Sequence, residues 1–445
     1  MKATGGRFLQ GDPEGAFCGI STDTRSLGEG ELYIALRGKR FDGHDFSEEA
    51  VRRGASGVLI SKEGLSLPKR GRVVRVADTL EALGAIAAYH RRKFSIPVVA
   101  VTGSNGKTTT KEMIAHILSG LGAVLKNEGT KNNRIGVPLT LLGLEEDDRF
   151  AVLELGMSEK GEIGALSRMA RPTVGVITNI GAAHLAFLKD LETVYACKVE
   201  ILEGLERGGT LVLNGMDPYL KKTVSPAHAL VFFGTGTSFS ASDIQERGEA
   251  ISFRLNDRLE GSLPLIGEHQ VQNALAAIAA THLLGVEPSF ALKQLGHFKG
   301  LNGRMTLRRI QGIDFIDDTY NANPESSARA LESLRKRATK GRRIFVLGDM
   351  LELGEGSRHY HAAFAEKVAS SKIDFFVTVG EFSRAAHDRA SSLGMNSHRT
   401  AHFLTTAEAA EFLARTVRDG DCVLVKGSRG MRMEEVLKSF EGIYV

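Results

Sequence analysis

Apolar and polar positions along the chain fall into three successive rhythms. Residues 1–85 carry the short apolar runs Glu31-Leu-Tyr-Ile-Ala-Leu36 and Gly57-Val-Leu-Ile60, separated by a helix-like stretch at 46–54 and by glycine turns. This pattern predicts a small α/β domain. From 86 to 302, apolar strand candidates at 98–102, 151–155, 174–179 and 210–214 alternate with helical periodicity. Such alternation predicts a mostly parallel sheet covered by helices on both faces. From 303 to 445 the rhythm recurs, with strand candidates at 315–318, 343–347, 375–379 and 422–425. That predicts a second doubly wound, Rossmann-like unit. A length of 445 residues exceeds what one hydrophobic core usually supports and agrees with three domains.

Composition changes the picture in only one respect. The 50 glycines exceed the usual ~7% and direct attention to glycine-rich loops. The net charge of +4 is small for this length, and no lysine- and arginine-rich block marks a nucleic-acid arm or membrane anchor, so no nucleic-acid partner is expected. Cys18, Cys197 and Cys422 lie far apart without metal-site spacing, as in a protein of a reducing compartment. With neither a signal-like start nor an apolar run of membrane-spanning length, the expected location is cytoplasmic.

The sharpest chemical signal is Val98-Val-Ala-Val-Thr-Gly-Ser-Asn-Gly-Lys-Thr-Thr-Thr110, an apolar strand running into Gly103, Ser104, Asn105, Gly106, Lys107, Thr108 and Thr109 and then a helical stretch. Glycines let backbone N–H groups curl around a polyphosphate, and the helix adds its positive N-terminal end. Lys107 can reach terminal phosphates and Thr108 can hold Mg²⁺. The general phosphate-loop pattern would place glycine where this chain has Val101. Glu154 ends the apolar run beginning at Ala151, and His184 follows the strand candidate at 174–179. Either could serve Mg²⁺ at the carboxyl end of the sheet, or be a paired structural carboxylate and a surface histidine.

Taken with Glu154-Leu-Gly-Met157, Thr178-Asn-Ile180 and Gly267-Glu-His-Gln-Val-Gln-Asn273, the phosphate loop resembles that of the Mur ligases of bacterial cell-wall synthesis. Folylpolyglutamate synthetases share parts of the pattern. The resemblance covers essentially the whole chain. It implies an N-terminal UDP-sugar-binding domain (1–85), a central ATP-binding domain (86–302) and a C-terminal Rossmann-like ligase domain (303–445). It also implies ATP and Mg²⁺ as cofactors. Lys107 and Thr108 would bind phosphate and metal, Glu154 and His184 would serve metal sites, and Asn273 would lie near the nucleotide. Lys198 aligns with the lysine that becomes carbamylated in the family and would supply a further metal ligand; its residues alone read as a solvated helix lysine. The family's usual glycine-serine after His184 is here Lys189-Asp190.

The C-terminal tracts resemble the family members that add D-alanyl-D-alanine to a UDP-N-acetylmuramoyl tripeptide. These tracts are Asp317-Asp-Thr-Tyr-Asn-Ala-Asn-Pro324, Val346-Leu-Gly-Asp-Met-Leu-Glu-Leu-Gly354 with Ser357 and His361, and Leu424-Val-Lys-Gly-Ser-Arg429 with Glu434. The resemblance implies that Arg304 meets ATP phosphate and that Asp317, Tyr320 and Asn321 hold the nucleotide from the far side. Residues 318–324 also read as a turn and helix N-cap. Thr24, Arg25, Asp42, Gly43 and His44 would contact the uridine nucleotide, and Asn132 and Asn133 the muramoyl substrate. A monomer is expected. The alternatives are a relative adding another amino acid and an inactive nucleotide-binding regulator.

Overall fold

The computed structural model describes residues 2–182, 188 and 190–442. The 98–102 run forms the strand Val98–Thr102, whose side chains alternate between two cores. Val99 and Val101 pack with the helices Lys107–Ser119 and His269–His282; Val98 and Ala100 pack against the opposite layer with Leu153, Ile163 and Leu166. Every residue of this strand is buried, as expected for a parallel strand covered on both faces.

Its sheet has six parallel strands in the order Ala229–Phe233, Thr210–Asn214, Val174–Ile177, Val98–Thr102, Asp148–Glu154 and Ala123–Lys126. The phosphate loop leaves the central Val98–Thr102 strand. Strand order reverses beside it, which opens a crevice at the carboxyl ends.

The C-terminal sheet has the order Thr306–Ile310, Ile313–Asp318, Cys422–Lys426, Arg343–Gly348, Phe375–Val379 and Thr400–Phe403, parallel except at its first strand. The N-terminal sheet is five-stranded and includes Leu32–Ile34 and Gly57–Ile60. A fourth, three-stranded antiparallel sheet, Ala241–Arg247, Ala250–Leu255 and Leu259–Leu263, is not anticipated by the α/β rhythm. Its strands alternate buried and exposed positions, and Phe253, Leu255 and Leu263 join the core of the central sheet.

The helix Thr79–Arg91 runs through residue 85, where the sequence rhythm had placed a boundary. Its Ala82 and Leu83 pack on the N-terminal sheet and its Ala87 on the central core, so one helix serves both units. Asp78 caps its start, accepting from the backbone N–H groups of Leu80 and Glu81. The three cysteines are free, and no described helix is long and apolar enough to cross a membrane.

Candidate active site

The phosphate loop takes its shape from two glycines in the left-handed region. Gly103 has φ 144°, and a Cβ there would lie 1.9 Å from Thr178 Oγ1; Gly106 has φ 79°, and its Cβ would lie 2.4 Å from Asn273 Oδ1. Only glycine permits both approaches. The loop is tied down between them. The Asn105 N–H donates to Asn179 Oδ1 at 2.9 Å, and the Asn105 carbonyl accepts from Thr178 Oγ1 at 2.5 Å.

Lys107 folds back on this loop, its Nζ donating to the carbonyls of Gly103 (2.9 Å) and Ser104 (3.3 Å). Burial lowers its pKa, and the neighbouring Arg304 adds to that shift while Glu154 opposes it. These carbonyl contacts are ones a phosphate oxygen can replace.

One helical step on, the Thr108 hydroxyl donates to Glu154 Oε2 at 2.6 Å, and Asn132 Nδ2 donates to Glu154 Oε1 at 2.8 Å. Glu154 is 3% exposed, and each of its carboxylate oxygens accepts a hydrogen bond, as a buried polar group requires. Its backbone is held too. Asn127, itself buried, accepts from the Glu154 N–H at 2.8 Å and donates to the Glu154 carbonyl at 2.9 Å. The buried Lys111 Nζ donates to the Asn127 carbonyl and pairs with Glu112.

Lys198 is 2% exposed and has its pKa lowered well below the ordinary lysine value, first by burial and then by Lys107. It is no solvated helix lysine. Its Nζ has no hydrogen bond or ion pair among the described residues, and the side chain lines the same cavity as Thr108 and Glu154. His184 lies outside the described residues. Among those described, no three His, Cys, Asp or Glu side chains converge as a metal cluster. Thr108 and Glu154 line the cavity with hard oxygen donors of the kind Mg²⁺ takes, and Lys198 lines it with them.

The C-terminal unit closes the cavity. Arg304 stacks over Tyr320, its guanidinium carbon 3.9 Å from the ring centroid, and its Nη2 donates to Thr108 Oγ1 at 2.8 Å. Asn323 Nδ2 donates to Asn105 Oδ1 at 2.7 Å and Asn105 Nδ2 to Glu325 Oε2 at 3.2 Å, so the phosphate loop is gripped from across the domain boundary. Asn323 also caps the helix Pro324–Lys336 in a reciprocal box with Ser326. The cap and the site contact are the same residue.

The cavity measures about 440 Å³ and is lined by the phosphate loop, Asn132, Asn133, Glu154, Lys198, Asn273, Arg304, Tyr320 and Asn321. Asn133 Oδ1 also accepts from the Ile135 and Gly136 N–H groups where the helix Gly136–Leu141 begins. Asp317 does not line the cavity. Its carboxylate bonds Thr319 and faces Arg308, because successive strand residues point to opposite faces. Asp318 lines it instead, paired with buried Lys426 at 2.5 Å.

Thr24, Arg25, Asp42, Gly43 and His44 stand apart from the cavity, in the N-terminal unit. Arg25 is exposed and forks onto Asp23, which falls to about pKa 2 through that contact. His44 is buried, its Nδ1 2.6 Å from Asp42 Oδ1 and its Nε2 accepting from the Ser61 N–H. Its ring is engaged within the fold.

Sequence reasoning passed over Asn127, Asp318, Lys426 and His269. Lys426 ends a buried apolar strand, the signal that had singled out Glu154. His269 lines the cavity, and burial, with Arg329 and Lys426 nearby, drops its pKa to about 3. His361 is buried and orders the 349–354 loop, its Nε2 accepting from the Met350 N–H.

A phosphate loop at the carboxyl end of one parallel sheet, facing a second doubly wound sheet across a shared cavity, defines a phosphate-loop enzyme whose site spans two units. Comparison with known proteins narrows this class. Residues 17–91 match the Mur ligase family catalytic domain, 101–281 the Mur ligase middle domain, and 303–429 the Mur ligase glutamate ligase domain. The chain belongs to the Mur ligase family and is an ATP-dependent ligase.

Among its relatives, the UDP-N-acetylmuramoyl-tripeptide–D-alanyl-D-alanine ligase of Bacillus subtilis is 37% identical, over 94% of this chain and 92% of its own. The enzyme of the same name from Escherichia coli is 35% identical, over 98% and 96%. A crystal structure of MurF from Acinetobacter baumannii superposes with a TM-score of 0.92 at 33% identity, covering 99% of this chain and 97% of the other. MurF ligase from Thermotoga maritima, solved in complex with ADP, gives a TM-score of 0.85 at 30% identity, covering 95% and 97%.

Proposed function

We propose that this protein joins D-alanyl-D-alanine to a UDP-N-acetylmuramoyl tripeptide with cleavage of ATP to ADP and phosphate, completing the pentapeptide precursor of peptidoglycan. The observation that carries this reading is the cavity itself. It brings the phosphate loop and the Thr108–Glu154 pair of the central unit against Arg304, Lys426 and Arg429 of the C-terminal unit. Relatives named for this reaction, aligned over nearly the whole chain, supply the substrates.

A carboxylate is a poor electrophile and must be activated. A carboxylate oxygen of the tripeptide attacks the γ-phosphorus of ATP, the bond to the bridging oxygen breaks, and ADP leaves. The dipeptide amine then attacks the acyl carbon, the C–O bond to phosphate breaks, and the amine loses its proton as the amide forms. Lys107 and Arg304 offset the charge massed between the carboxylate and the phosphates. Mg²⁺, held by Thr108, Glu154 and carbamylated Lys198, would supply further neutralisation. Asn105, gripped by Asn323 and Glu325, ties the loop's shape to docking of the C-terminal unit, which keeps water from the acyl phosphate. The N-terminal unit, with Thr24, Arg25 and Asp42, would carry the uridine nucleotide. The protein would act as a monomer in the cytoplasm, where ATP is supplied.

Phosphate release from the purified protein, measured with ATP, the UDP-tripeptide and a panel of amino substrates, tests the reading. Release is expected only when the tripeptide and D-alanyl-D-alanine are both present. Turnover with diaminopimelate, lysine or glutamate instead, or ATP binding without any peptide product, would overturn it.

A further inference from the structure

The C-terminal wall of the cavity is built from two loops zipped together. The Leu351 N–H donates to Ser428 Oγ at 2.8 Å, and the Ser428 N–H donates to the Asp349 carbonyl at 3.0 Å. The loops lie close because glycines start both. A Cβ on Gly348 would come 3.4 Å from the Gly427 Cα, and one on Gly427 would come 2.5 Å from Met433 Cγ. Each loop presents one charged residue to the cavity, Glu352 from the first and Arg429 from the second. Glu352 holds a left-handed backbone, φ 63°, which bulky residues rarely adopt. Backbone strain at a cavity wall is more common where a side chain must be aimed.

Six lysine and arginine side chains line this cavity, and most already have a task. Lys107 and Arg304 sit at the phosphate loop, Lys198 stands on the Glu154 side, and Lys426 is buried on Asp318 and the Asn321 carbonyl. Arg329 also borders a neighbouring cavity among Glu246, Glu268 and Glu332 and lies close enough to Glu325 to oppose the burial that raises its pKa. Arg429 differs from these. Its side chain is 61% exposed, and its Nη1 donates to Glu434 Oε1 at 2.8 Å. The other Glu434 oxygen is buried with no partner among the described residues. A glutamate anchored this way holds the guanidinium in place and leaves the rest of its N–H fork open to the cavity.

The incoming dipeptide carries one group that the chemistry of peptide-bond formation does not use, its terminal carboxylate. We propose that Arg429, oriented by Glu434, is the receptor for that carboxylate and so selects a dipeptide acid as the amine donor. This rests on the function proposed above. Arg429 is a binding residue and Glu434 its positioning residue. The phosphate-loop cations act on the other substrate and on ATP, so this subsite governs the amine donor alone.

The test compares D-alanyl-D-alanine with its C-terminal amide, in which the carboxylate charge is removed and little else is changed. The wild type is expected to favour the acid by roughly 10- to 100-fold in kcat/KM, the range for a charge-assisted pair. Arg429→Gln should raise KM for D-alanyl-D-alanine by a similar factor, leave KM for ATP and for the UDP-tripeptide near wild type, and bring the acid-to-amide ratio close to one. Arg429→Lys should keep part of the preference, and Glu434→Gln should shift the ratio in the same direction as Arg429→Gln by less. Unchanged ATP saturation shows that the variants are folded. If the wild type uses D-alanyl-D-alanine and Arg429→Gln keeps the wild-type acid-to-amide ratio, this inference fails while the proposed function stands. If the wild type uses no D-alanyl-D-alanine, the proposed function fails and this inference falls with it.

Discussion

The Thr108 hydroxyl donates to the Glu154 carboxylate across 2.6 Å, joining two residues 46 positions apart into a single oxygen face beside the phosphate loop. Parallel pairing makes the contact possible. Glu154 is in register with Val101, and the chain beyond Val101 turns through the glycine loop to bring Thr108 back over that strand end.

Removing the Glu154 charge should therefore act on Mg²⁺ rather than on the fold. Glu154→Gln keeps an oxygen able to accept from Thr108, so the melting temperature is expected to stay near wild type. Turnover should fall about 100-fold, with a higher Mg²⁺ requirement. Mg²⁺ titrations of initial rate decide the point, and wild-type saturation would sink the assignment.

Asn127 acts on the same carboxylate from behind. Its side chain bonds the Glu154 N–H and carbonyl and the Lys131 carbonyl. Asn127→Ala leaves those buried groups without partners and is expected to cost about 2–4 kcal/mol in urea unfolding. The Mg²⁺ concentration for half-saturation should also rise about 10-fold, as for other groups that orient a metal ligand. A stability loss without that rise would leave Asn127 a purely structural residue.

Burial and the nearby Lys107 lower the Lys198 pKa, so much more of its amine is neutral near pH 7 than for an exposed lysine. The neutral amine is the form that adds CO₂. Protein incubated with ¹³C-bicarbonate should show a carbamate carbon signal that is absent from Lys198→Ala. The signal should fade as pH falls and the amine is protonated. Equal spectra for the two proteins would count against carbamylation.

His269 links pH to stability. An unfolded imidazole takes up a proton near pH 6.5, whereas the folded one stays neutral until about pH 3. Between those values the unfolded chain binds more protons, so this residue makes the fold less stable as pH drops below 6.5. The loss is at most about 1.4 kcal/mol per pH unit. Urea unfolding at pH 7 and pH 5 should show a smaller pH effect in His269→Gln than in the wild type. An identical pH effect in both would place the titrating group elsewhere.

Much of the architecture was legible because local rules suffice for it. Runs such as Val98–Thr102 and Phe375–Val379 are strands because strands buried on both faces must be apolar throughout. Gly103 and Gly106 announced the phosphate loop because no other residue tolerates those backbone angles in that space. The three-stranded sheet at 241–263 escaped notice, since its polar, alternating strands lack the continuous apolar signature. That the Thr79–Arg91 helix runs across residue 85 and packs into two cores is something no window of sequence reveals.

By itself, then, the sequence determined the loop, its lysine and threonine, and a carboxylate ending a buried strand. These follow from backbone geometry and from the cost of burying charge, both properties of short segments. Only the tertiary structure decided the rest. It turned Asp318 rather than Asp317 to the cavity, enclosed Lys198 until its charge became unfavourable, and laid Asn323 against Asn105 from 218 residues away. Each outcome depends on which groups lie within a few ångströms across a domain boundary. Desolvation and hydrogen bonding are set at that distance, and separation along the chain does not report it.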